Sequence, residues 1–332
     1  MSRRRPPVRR CQALFRLASL TLGLLLLAGS TTARAQFVIT PTFGATINSD
    51  PNSAAIKATI NAAIADYAAN FSDPINVAIE FNGMTSGLGQ SNTGFYNVAY
   101  STFLTALKAD AKTADDATAN GTLPNSSTNP TNGATTINVT SANMRAIGLS
   151  GAGVVTGTTG GTFDGVIGIN LGITTPGIAS GSLYSLRAVV QHEIDEVLGT
   201  ISGLPSSPFS TIFPSDLFRY SGAGVRSYTS ASSNNVYFSI DGGTTSLANY
   251  NNAPNGGDYG DWGSSGSPRV QDAFGTPGSN PVLGVELRLL DVIGYDRRSL
   301  SAVPEPGPLA LAGVVGLAGL AAHLRRRRTQ TA

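Results

Sequence analysis

The chain has 332 residues, with 22 Lys and Arg against 20 Asp and Glu, a formal net charge of +2. Seven of the basic residues fall within residues 1–35 and four within 325–328, so the body between them carries 11 basic against 19 acidic residues. An acidic body argues against nucleic acid and anionic lipid as partners, and because Cys11 is the only cysteine and lies in the first segment, the body has no disulfide.

Residues 1–35 read as a signal peptide. Arg3, Arg4, Arg5, Arg9, Arg10 and Arg16 form a basic start, Leu17–Ala28 an apolar run, and Ala33-Arg34-Ala35 a small-x-small cleavage site. The mature chain then begins at Gln36. Arg9-Arg10 leaves the general and the twin-arginine export routes both open.

The body, residues 36–302, is expected to be one α+β domain with an irregular second half and a cleft between the two parts. Ala54–Asn70 carries Ile56, Ile60, Ile64 and Tyr67 three and four apart, the period of an amphipathic helix. Residues 75–81 alternate strictly and predict a strand with Ile75, Val77, Ile79 and Phe81 on one face. Tyr100–Ala111 predicts a helix, residues 112–135 a polar loop, Thr136–Val139 a strand, Ser141–Leu149 a short helix and Gly165–Leu171 a strand. Leu183–Leu198 predicts a helix closed by Gly199. Beyond it, residues 200–283 read as loop and short strand, including Asn235–Ile240, before a last helix over Gly284–Val292.

At the far end, Pro304-Glu305-Pro306 leads into an apolar stretch, Leu309–Leu324, and then Arg325–Arg328. The stretch is short for a stable transmembrane helix, and four arginines hold its end at the cytoplasmic face. These three parts resemble the PEP-CTERM sorting signal over residues 303–328. The resemblance implies a membrane-anchored intermediate, a sorting enzyme of the exosortase type as partner, and a final place at the cell surface or outside the cell.

The chemistry concentrates in Gln191-His192-Glu193-Ile194-Asp195-Glu196-Val197-Leu198-Gly199, which holds the only histidine between the two targeting segments. On a helix, His192 and Glu196 sit one turn apart on one side and can share an ion. Glu193 is rotated by one residue and can lean toward a metal-activated water as general base. Leu186, Val190, Ile194, Val197 and Leu198 are left to face the core.

This pattern resembles the zincins, with Glu196 where their second histidine stands, and Gly199 is placed like the glycine after a metzincin helix. A narrower resemblance is to presumed metalloproteases that carry PEP-CTERM tails and a His-Glu-x-x-Glu helix. It rests on residues 216–220, 238–243, 257–262 and 290–295. It implies a zinc-dependent peptidase, with manganese as the other candidate, since oxygen-rich ligands weaken the preference for zinc. Two carboxylate ligands also lower the Lewis acidity of the ion. The third metzincin ligand would fall on Ser202, a poor one, and no methionine follows the helix. Asp216 is the expected third ligand, because its loop has an aspzincin-like length and it stands near Tyr220, the expected oxyanion donor. Asp241, Asp258 and Asp261 are its rivals.

Two other readings belong beside this one. A serine hydrolase would need a Gly-x-Ser-x-Gly elbow, which is absent. A non-catalytic surface or matrix protein fits the Gly- and Asn-rich composition, and Asp258 and Asp261 in its Gly-Asp stretch would then suit calcium.

Overall fold

The computed structural model describes residues 36–205, 211–231, 235–264 and 266–298. The predicted signal peptide and sorting segment lie outside these residues. Among the described residues no helix is long and apolar enough to cross a membrane.

The first part of the chain runs β1 (Val38–Phe43), α1 (Ala45–Asn48), α2 (Ser53–Asn70), β2 (Asn76–Met84), β3 (Gly89–Thr93), β4 (Phe95–Ala99), α3 (Tyr100–Asp110), α4 (Ala114–Gly121), β5 (Thr136–Thr140) and α5 (Ser141–Ala146). Then come β6 (Val155–Thr156), β7 (Thr162–Phe163), β8 (Gly165–Asn170), β9 (Thr174–Thr175), β10 (Tyr184–Ser185) and α6 (Leu186–Leu198). The main sheet has the order β1-β2-β8-β3. Its first three strands are parallel, and β3 closes one edge antiparallel to β8.

Helix α2 buries Ile56, Ile60, Ile64 and Tyr67, as its spacing predicts. Strand β2 buries Val77, Ile79 and Phe81 on one face, again as predicted, but Glu80 on the other face is buried too. Its carboxylate accepts from the Thr158 and Thr159 N–H groups at 2.8 and 3.0 Å and from the Asn82 amide at 2.8 Å, so a loop covers that face. The stretch 112–135 is not all loop. Helix α4 forms there because Thr113 and Asp116 cap each other's backbone, a local device that outweighs its weak apolar pattern.

After α6 the chain becomes irregular, as expected. A 3₁₀ turn (Pro214–Phe218) leads into β11 (Arg219–Gly222), β12 (Val225–Arg226), β13 (Tyr237–Phe238) and β14 (Ala248–Asn249), an antiparallel sheet in the order β12-β11-β13-β14. Helix α7 (Val285–Val292) closes the described chain. The fold is mixed α+β. One continuous apolar core runs through both parts, from Ile39 and Phe81 to Phe238, Trp262 and Leu290. Phe37 packs on Phe71 and Tyr295 with ring centroids 5.8 and 6.0 Å apart, tying the start of the described chain to its end.

Candidate metal centre and its cleft

Helix α6 is built to be rigid. Ser185 caps its start, its hydroxyl accepting from Ala188 N–H at 3.3 Å. Its end turns at Gly199, whose φ of +133° only glycine adopts without strain. The last carbonyl, Leu198 O, accepts from the Tyr295 hydroxyl at 2.7 Å and from Thr140 Oγ1 at 3.1 Å. Leu186, Val190, Ile194, Val197 and Leu198 are buried, as their period predicts. A Cβ built on Gly165 would overlap Val197, so that glycine lets the helix lie close on β8. Tyr67 of α2 reaches across to Gln191 O and Asp195 Oδ1 at 2.7 and 2.8 Å.

His192, Glu196 and Asp261 each bring one ligand atom to a common point, with all three atoms within 4.8 Å of one another. His192 Nε2 is 3.7 Å from Glu196 Oε1 and 3.7 Å from Asp261 Oδ1. Donor atoms around a tetrahedral zinc ion stand roughly 3.4 Å apart, so a small closure suffices. The imidazole is oriented by its other nitrogen. Nδ1 lies 3.0 Å from the Val270 carbonyl, to which it donates, so that once the ring is neutral its Nε2 is the nitrogen offered to a ligand. When both are ionised, as metal binding requires, the two carboxylates supply a charge of −2, equal and opposite to that of a divalent cation. This group can hold a metal ion.

Asp261 arrives from far along the chain on a loop fixed at several points. The guanidinium of buried Arg219 donates to Tyr259 O, and lies over the Tyr250 ring at 4.1 Å. Gly260 packs on the backbone just beyond α6, where a Cβ would come within 3.0 Å of Thr200 O and Ile201 Cα. Asn251 N–H donates to Asp261 O at 2.7 Å, and Trp262 N–H to Gln271 O at 2.8 Å. Gln271 Nε2 then donates to Asp261 Oδ1 at 2.8 Å, holding the carboxylate toward His192. On the other side, Ser91 of β3 donates to Glu196 Oε2 at 2.6 Å.

The expected site residues separate. Glu193 lies beside the donor group and lines the same cleft as His192 and Glu196. Asp216 does not join them. It is fully buried in the 3₁₀ turn, where it accepts from Ser202 Oγ at 2.6 Å, Gly203 N–H at 2.9 Å and Phe213 N–H at 3.0 Å, near the Arg219 charge. It is an anchor for that turn, and Asp261, its rival in sequence, holds the third place. Tyr220 is likewise off the cleft. Its ring lies under Arg226 at 4.7 Å, and its hydroxyl is 3.4 Å from Thr122 Oγ1, so it cannot serve as oxyanion donor. Asp241 accepts from Ser239 and Thr245 within its own turn. Asp258 stands exposed on the rim of the cleft and is not one of the three residues whose donor atoms converge.

Electrostatics in the group follow from burial and crowding. Burial lowers the His192 pKa, but the charges of Asp261, Glu193 and Glu196 outweigh it and hold it up at about 10. Burial pushes Asp261 up to about 7. Burial, followed by the Glu196 charge, lifts Glu193 well above the usual carboxylate range, and Glu196 is itself raised, mainly by burial. Three carboxyl groups thus crowd one imidazole away from water. A divalent cation among them would relieve that repulsion.

The cleft above them has a volume of about 560 Å³. It is lined by residues 87–91, which include the first three residues of edge strand β3, by one side of α6, and by residues 256–258, 261, 269–270 and 272–276. Sequence reading missed Ser91, Gln271 and the Val270 carbonyl, because nothing local to those residues marks a site. Comparison with protein-family models, with curated proteins and with solved structures gave no match.

Proposed function

We propose that this protein is a zincin-like, zinc-dependent peptidase, exported and sorted to the cell surface through its C-terminal segment. The observation that carries the reading is the convergence of His192, Glu196 and Asp261 in the cleft, with Glu193 beside them. When bound there, a divalent ion supplies Lewis acidity, polarising a carbonyl and making a water molecule more acidic. Manganese is the other candidate, because two of the three donors are carboxylates. The same two carboxylates reduce the ion's acidity, so turnover is expected to be slow.

The residues of this chain divide the remaining work. Glu193 accepts the proton of the attacking water and returns it to the leaving amide nitrogen. Strand β3 supports a peptide substrate in particular. It is an edge of the main sheet and its first residues line the cleft, so an extended peptide can add to it as a further strand.

The test begins with metal. Plasma mass spectrometry on the purified protein, beside His192→Ala, is expected to give about one equivalent of zinc or manganese, lost in the variant. Glu193→Gln is expected to keep the metal and abolish cleavage of a diverse peptide library. If the wild type holds its metal and cleaves no peptide, the peptidase reading falls and a surface structural protein with a metal site takes its place.

A further inference from the structure

Buried polar atoms without a hydrogen-bond partner are rare and call for a cause. Gln271 Oε1 is such an atom, on a side chain that is fully buried. The backbone around it is fixed. Gln271 N–H donates to Glu286 Oε1 at 3.2 Å, Gln271 O accepts from Trp262 N–H at 2.8 Å, and the preceding carbonyl, Val270 O, accepts from His192 Nδ1–H at 3.0 Å. The carboxamide lies at the candidate metal centre.

Gln271 Nε2 is 2.8 Å from Asp261 Oδ1 and 3.4 Å from His192 Nε2. Those two atoms, themselves 3.7 Å apart, are the ones their residues bring to the metal centre. Donor atoms bound to one ion at about 2.1 Å stand roughly 3.0 to 3.4 Å apart. The amide tip therefore stands where a further donor to the same ion would stand.

The nitrogen end of the amide has hydrogens and no free lone pair, so it does not suit a cation. The oxygen end does. It has two lone pairs and nearly the same size, and half a turn about the Cγ–Cδ bond, a soft two-fold torsion, exchanges the ends. Oε1 gives up no partner in turning. Asp261 Oδ1 gives up one hydrogen bond, and the ion replaces it.

We propose that Gln271 is a fourth ligand of the ion, through Oε1, after its carboxamide turns. This rests on the metal-centre reading above. His192, Glu196 and Asp261 line the cleft, as do Val270 and Asp272, but Gln271 does not. Its amide thus meets the ion from the protein side and leaves the cleft face to water and substrate. One imidazole and three oxygens, with an open position beyond them, exceed the four ligands of a tetrahedral zinc site. The hard amide oxygen moves the preference toward manganese.

The experiment measures Co²⁺ and Zn²⁺ dissociation constants of the purified protein by competition with a chelator, beside Gln271→Leu and Gln271→Glu. Circular dichroism checks that each variant folds. Gln271→Leu keeps the size and removes the oxygen. It should raise both constants more than about 100-fold, beyond the 10- to 100-fold cost of removing a group that only orients a ligand. The visible bands of its Co²⁺ form should intensify, because the ion has lost a ligand. Gln271→Glu keeps an oxygen and loses both amide hydrogens. It should stay within about tenfold of wild type, and it carries the test if Gln271→Leu fails to fold. An unchanged cobalt spectrum in Gln271→Leu overturns the proposal. So do constants that tighten or rise less than about 100-fold there, which would leave Gln271 a positioning donor for Asp261. A loss beyond tenfold in folded Gln271→Glu overturns it as well. Wild type that binds neither ion overturns the metal-centre reading itself, whatever the variants do.

Discussion

Gly89 and Glu193 interlock: a Cβ built on Gly89 would overlap Glu193 Oε1. The glycine is needed for the space it leaves, because the general base of the proposed reaction lies against the β3 backbone. Gly89→Ala is therefore expected to displace the carboxylate and not the metal ligands. Turnover should drop at least tenfold while metal content stays near one equivalent. Full activity in that variant would mean Glu193 acts from another position.

Asp261 and Asp216 should part cleanly under mutation. Asp261→Asn is expected to weaken metal binding, seen as a metal content well below one equivalent after dialysis. Asp216→Asn is expected to keep the metal and lose stability. It replaces a fully buried charge that three donors hold near Arg219, a change that costs about 3 kcal/mol. Thermal melting and mass spectrometry on the same samples decide between them. Metal lost with Asp216→Asn and kept with Asp261→Asn would reverse the assignment.

Arg219 links the second half of the chain to the metal centre, because it holds the Tyr259 carbonyl two residues before Asp261. Arg219→Met fills part of the space but drops that hydrogen bond and leaves Asp216 without its buried counter-charge. The expected result is a metal dissociation constant raised about 10- to 100-fold, the range seen when groups that orient metal ligands are removed. Competition with a fluorescent chelator measures it, and an unchanged constant would show that the loop is held without Arg219.

Stability should fall as pH rises through the acid range. Burial pushes Asp73 up from 3.8 to about 7, against the hydrogen bond from Asp296 N–H; the charges of Asp296 and Asp110 add to the rise. Lys112, paired with Asp110 and Asp296, is the nearby cation. Between about pH 4 and pH 7 the folded protein therefore holds a proton that the unfolded chain has released. This group then favours folding most at the acid end of that window, and its contribution is lost as pH climbs to 7. The melting temperature of the metal-loaded protein is expected to drop from pH 5 to pH 8. Asp73→Asn, which keeps an acceptor for Asp296 N–H, should shrink that drop. Equal drops in the two proteins would clear Asp73 of the effect.

The helix period of residues 54–70, the alternation over 75–81 and the closing glycine at 199 were legible in the sequence, because each depends on neighbours one turn or one pleat away. The pairing of His192 with Glu196 was legible for the same reason, since four residues on a helix always bring two side chains together. The third ligand was not. Asp216, Asp241, Asp258 and Asp261 are chemically alike, and only the packing of Gly260 on Thr200 and the grip of Arg219 on Tyr259 choose among them. The edge strand Gly89–Thr93 was invisible as well. Its polar residues carry no apolar alternation, and it is a strand because β8 offers it a partner. Local periodicity determined the helix that carries the chemistry. Tertiary packing decided which distant residues complete it, because contact between residues far apart in the chain leaves no spacing to read.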